Sequence, residues 1–157
     1  MTTRRLTLTS PEETTRLAAH IAGALRPGDC LLLEGPIGAG KSHFARSLIQ
    51  SLLGYAEDVP SPTFTLVQTY DTPAGEVWHS DLYRLTALEE IEELGLTEAF
   101  EDAICLVEWP DRLAELAPAG ALSLLLTPDK DTEGTRHLEF CWTAPRWTPL
   151  MTDLPHD

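Results

Sequence analysis

Gly35-Pro-Ile-Gly-Ala-Gly40-Lys41-Ser42 matches the pattern G-x-x-x-x-G-K-[ST] and lies between a short apolar run, Cys30-Leu-Leu-Leu-Glu34, and a segment of helical spacing. That context is what the pattern requires. A strand buried on both faces reads as a continuous apolar run, and one that passes through a Gly-rich turn into a helix begins a parallel α/β sheet. Gly35, Gly38 and Gly40 let the backbone curl until successive N–H groups point inward, while the helix directs the positive end of its dipole the same way. Such a loop holds phosphate oxygens. Lys41 supplies a point charge at the β/γ bridge of a nucleoside triphosphate, and Ser42 a hydroxyl ligand for magnesium. The expected nucleotide contacts are Gly35, Pro36, Ile37, Gly38, Ala39, Gly40, Lys41 and Ser42, with His43 next along the helix.

The rest of the chain extends this unit. Leu6 and Leu8 alternate with Thr as in a half-buried strand, and Ser10-Pro11-Glu12-Glu13 supplies an N-cap, a first-turn proline and a capping-box glutamate. Leu17, Ile21 and Leu25 continue that helix until Pro27-Gly28. Phe44, Leu48 and Leu52 mark the helix after the loop, stopped by Gly54. Residues 63–70, the turn chemistry of 71–75 and the β character of 76–79 predict a hairpin. Residues 88–94 read as an acidic amphipathic helix, 103–107 as a buried strand, 110–116 as a short helix, and 121–126 and 137–142 as closing strands. A chain of 157 residues suits one domain. The expectation is a single-domain α/β P-loop NTPase over residues 1–145, with a mainly parallel central sheet flanked by helices and an inserted β-hairpin. Residues 146–157, with Pro149 and Pro155, are expected to be a loosely held tail.

A triphosphate site needs a carboxylate near its metal. Glu108 ends the run 103–107 and is the expected metal carboxylate, direct or through water; Asp81 ends 77–81 and either completes the metal shell or orients the attacking water. Either could instead cap a following helix. Thr63, in Ser61-Pro62-Thr63-Phe64, lies where switch loops sense a γ-phosphate. His79 beside Trp78 reads more readily as packed than catalytic, Trp109 as site-lining or core, and Glu89, Glu90, Glu92 and Glu93 as a solvated face. Cys30, Cys105 and Cys141 lie far apart in largely apolar surroundings, which points to reduced thiols, and no Cys/His spacing suits zinc. No apolar stretch approaches the length of a membrane span. A cytoplasmic protein is expected. Its net charge of −14 at pH 7 opposes direct docking on nucleic acid.

Taken in order, Leu33 to Ser42, Ser-Pro-Thr-Phe-Thr-Leu-Val from Ser61, His-Ser-Asp-Leu-Tyr-Arg-Leu from His79 and Ile-Cys-Leu-Val-Glu-Trp-Pro from Ile104 resemble the TsaE family of small bacterial ATPases. The resemblance implies a cytosolic ATPase that uses ATP and Mg2+. It implies as partner the TsaB–TsaD heterodimer, which transfers threonylcarbamoyl to a tRNA adenosine, so that tRNA is met only through the complex. It also implies functional roles for Lys41, Ser42, Thr63, Asp81, Glu108 and Trp109. Pro36-Ile37 stands where the family usually has Asp-Leu, Ser42 where it mostly has Thr, and Ser80 where an aromatic is usual. Two other readings use the same loop: a small-molecule kinase, disfavoured because Arg84, Arg112 and Arg136 form no lid-like cluster in the sequence, and a nucleotide-gated adaptor in which hydrolysis is incidental.

Overall fold

Alternation places successive side chains of a strand on opposite faces, and the central strands here are apolar on both. In the computed structural model, which describes residues 1–36, 38–54, 67–85 and 87–154, β2 (Cys30–Glu34) sends Leu31 and Leu33 to one layer and Cys30 and Leu32 to the other. The first layer comprises α1 (Pro11–Ala22), α2 (Lys41–Leu53) and α5 (Trp147–Thr152); Phe44, Leu48 and Trp147 are fully buried there. The second comprises α3 (Leu88–Leu94), α4 (Leu96–Asp102) and the 3-10 helix Pro110–Leu116, with Ile91, Leu96 and Leu113 buried.

Between them lies one seven-stranded sheet. The other strands are β1 (Thr2–Leu8), β3 (Val67–Thr72), β4 (Gly75–Asp81), β5 (Ile104–Glu108), β6 (Leu122–Pro128) and β7 (Arg136–Trp142), and the order is β1-β7-β6-β2-β5-β4-β3. The parallel centre is β6-β2-β5-β4; β3 and β7 pair antiparallel with its two edges, and β1 pairs antiparallel with β7. The expected hairpin is β3–β4, whose second strand is also the fourth parallel strand. Register aligns Leu33 with Glu108 and Asp81 with Glu108, so the carboxyl ends of three parallel strands meet at the edge where the glycine loop begins.

Three local readings change. α1 ends at Ala22 rather than at Pro27, and Leu25 is buried from a turn instead of from the helix. α4 had no counterpart in the sequence reading. The tail expected to be loose is instead docked through residue 154: Trp147, Met151 and Leu154 are buried, the Trp147 indole N–H donates to Gly120 O at 2.8 Å, and Arg146 Nε donates to the buried Asp29 carboxylate at 2.7 Å. Among the described residues no helix is long and apolar enough to cross a membrane.

Candidate functional site

β2 delivers the chain to the loop at Gly35, whose φ of 145° is open to glycine, and α2 begins at Lys41 with Gly40 as its cap at φ 100°. Gly40 offers no side chain to the first turn, so the leading N–H groups of a 13-residue helix are not capped by one. A helix start left open in this way is able to hold an anion. Beside it lies an open cleft of about 450 Å³, lined by Gly38, Gly40, Lys41, Ser42, His43, Asp81, Tyr83, Glu108 and Trp109 among others. Its volume is that of a small-molecule site.

Lys41 is 5% exposed. Its ammonium donates to Gly35 O at 2.5 Å and sits 3.4 Å from the centre of the Trp109 ring, a cation–π contact. Burial pushes its pKa down, against the attraction of Glu108, Asp81 and Asp111. Trp109 reaches this place through a left-handed backbone, φ 60° and ψ 54°, directly after β5. For a bulky residue that conformation costs about 1–3 kcal/mol. The Tyr83 ring, 4.8 Å away, tilts against it.

Ser42 Oγ donates to Glu108 Oε1 at 3.1 Å, joining the start of α2 to the end of β5. Glu108 is 2% exposed, and its other oxygen, Oε2, lies 2.7 Å from His79 Nε2. Asp81, on the neighbouring strand, accepts the Tyr83 N–H at 3.0 Å, and burial raises its pKa above the ordinary carboxylate value. Asp81 thus caps a turn and not a following helix, and the side-chain bonds of Glu108 go to Ser42 and His79. The sequence-predicted Lys41, Ser42, Asp81 and Glu108 come together with Gly38, Gly40 and His43. Ala39 turns its methyl into the core, and Pro36 is exposed. Ile37 and the whole Ser61-Pro62-Thr63-Phe64 segment, Thr63 included, lie outside the described residues.

Two participants escaped the sequence reading. Arg136, at the start of β7, donates from Nε to Ala39 O at 3.0 Å and from its terminal nitrogen to Gly38 O at 3.5 Å, tying the loop to the sheet. Nothing in its spacing signals a contact across 97 positions. Tyr83 carries only the weak signal of an aromatic after Asp81.

The donor set of one hydroxyl and two carboxylates is hard oxygen chemistry, which suits magnesium. Among the described residues no three His, Cys, Asp or Glu form a closed metal cage.

The chain as a whole is similar to known proteins. The family model described as threonylcarbamoyl adenosine biosynthesis protein TsaE matches residues 8–138. The tRNA threonylcarbamoyladenosine biosynthesis protein TsaE of Rickettsia bellii is 42% identical over 126 residues, covering 78% of this chain and 88% of its own. The protein of that name from Bacillus subtilis is 37% identical over 150 residues, covering 94% and 92%. Among solved structures, the crystal structure of Bacillus subtilis YdiB superposes with a TM-score of 0.78 at 29% identity, over 97% of this chain and 93% of the other.

Proposed function

The chain belongs to the TsaE family of threonylcarbamoyl adenosine biosynthesis proteins, and from that premise we propose that it is the ATP hydrolase of the tRNA N6-threonylcarbamoyladenosine machinery. In this reading it turns over ATP in the cytoplasm to support threonylcarbamoyl transfer by TsaB–TsaD. The observation that carries the proposal is the Ser42–Glu108 hydrogen bond at the carboxyl edge of the sheet, beside the uncapped start of α2. A Gly-rich turn that merely joined strand to helix would have no need of a buried carboxylate there.

The residues divide the work by position. The loop amides from Gly38 to Ser42 and the Lys41 ammonium bind the triphosphate. Ser42, Glu108 and Asp81 would hold magnesium, which supplies neutralisation of the phosphate charge. Glu108, bonded through both oxygens, is fixed in orientation; Asp81, on the neighbouring strand, would complete the metal shell or orient the attacking water. Trp109 and Tyr83 keep bulk solvent from Lys41, so that its charge acts in a medium of low dielectric. With a surface of net charge −14, the protein meets tRNA through its partners.

Reconstituted tRNA modification with wild type, Lys41→Ala and Glu108→Ala, with ADP and modified nucleoside measured together, tests this. Both variants should lose partner-stimulated ADP release by about 100-fold or more, the scale of removing one preorganised electrostatic contact, and sustained modification with it. Full modification by Glu108→Ala would replace the hydrolase by a nucleotide-gated adaptor. ADP release stimulated by a small hydroxyl acceptor, and not by TsaB–TsaD, would make it a kinase.

A further inference from the structure

His79 lies in the interior of β4, fully buried, and no nucleotide contact falls to it in the mechanism above. Alternation places Val77, His79 and Asp81 on one face of β4 and Ile104, Leu106 and Glu108 on the same face of β5, the face that packs on α2. The imidazole thus sits under the metal carboxylate. Its Nε2 is 2.7 Å from Glu108 Oε2, while Glu108 Oε1 accepts from Ser42 Oγ at 3.1 Å. An ionised carboxylate only accepts, so the hydrogen in the His79 bond resides on Nε2. Nδ1 has no hydrogen-bond partner among the described residues. A histidine kept only for packing is a poor choice for a dry, apolar layer, because a bare buried ring nitrogen costs free energy that leucine would not.

Resting on the proposed Mg-ATP reading, we propose that His79 is a positioning residue for Glu108: its Nε2–H holds Oε2 inward and so presents Oε1 to Ser42 and the cation. Outer partners of metal ligands act in this way, and their loss typically costs about 10–100-fold in metal affinity. The contact does not touch nucleotide. Its removal therefore affects the gain that magnesium brings to nucleotide binding, and leaves magnesium-free binding alone.

The test is calorimetric titration with a non-hydrolysable ATP analogue, with and without Mg2+, for wild type, His79→Leu and His79→Gln. Glutamine places an amide N–H near the position of Nε2. The ratio of the two dissociation constants should fall about 10-fold or more in His79→Leu and recover to within about 3-fold of wild type in His79→Gln, with magnesium-free affinity unchanged in both. In the wild-type protein, which needs no variant to fold, nitrogen-15 NMR should find His79 Nε2 protonated and Nδ1 not. An unchanged ratio in His79→Leu, equal losses with and without Mg2+, or a hydrogen on Nδ1 alone would overturn the role of His79. A wild type whose analogue binding ignores Mg2+ would overturn the metal reading and this inference with it, and is told apart by the wild-type titration alone.

Discussion

A Cβ built on Gly35 would lie 2.3 Å from the Leu126 carbonyl oxygen of β6, whereas one on Gly38 would meet nothing within 4 Å. Both glycines have positive φ, 145° and 85°, so alanine is strained at either, but only at Gly35 must a strand also move. Gly35→Ala should lower unfolding free energy by about 2–3 kcal/mol and Gly38→Ala by about 1 kcal/mol, read by urea denaturation; equal losses would refute the steric account. The identities of Gly35, Lys41, Ser42, Asp81 and Glu108 were legible because each occupies a place defined by its neighbours in the chain: a turn, a helix start, a strand end. His79 and Arg136 were not legible. Their roles depend on Glu108 and Ala39, 29 and 97 positions away.

Short elements show where local pattern runs out. Gly95, at φ 85°, ends α3 and caps α4 in the same residue, so a reading that stops at the glycine finds one helix instead of two. In the C-terminal segment, expected to be a loose tail, Pro149 falls in the first turn of α5, where a missing N–H breaks no intrahelical bond. Trp147→Ala should therefore cost about 3–5 kcal/mol, the range for emptying a buried aromatic site, where a loose tail would register nothing in chemical denaturation. The β6–β7 connection has its own device. The Asp129 carboxylate accepts from Asp131 N and Thr132 N at 3.1 and 2.9 Å and pairs with His137 Nε2 at 2.7 Å. The His137 bond first, then the two backbone bonds, hold its pKa down at about 2. A carboxylate with a depressed folded-state pKa stabilises above its ordinary value of 3.8, and that contribution is lost as pH falls toward about 2. Asp129→Ala should accordingly be less stable than wild type near neutrality, with the difference in urea midpoint closing as pH is lowered through that window; a pH-independent difference would assign the effect to packing.

At the scale of the molecule, 25 acidic against 11 basic side chains make the surface repel phosphate backbones, while the glycine loop and Lys41 attract one compact polyphosphate. Filter binding at low ionic strength should detect no retention of tRNA by the protein alone, and retention only once TsaB–TsaD is added; tight binding by the isolated protein would contradict the division of labour proposed. From the sequence came the strand–loop–helix unit, the amphipathic layers and the two acidic strand ends, all properties of a few consecutive residues whose backbone geometry and hydrophobic period are local. Strand order and register belonged to the tertiary structure. They placed β5 between β2 and β4, joined Ser42 to Glu108 across 66 positions, set His79 beneath that carboxylate and Trp109 over Lys41. Alternation says which face a side chain occupies, but its neighbour there is chosen by the packing of all seven strands and their helices at once.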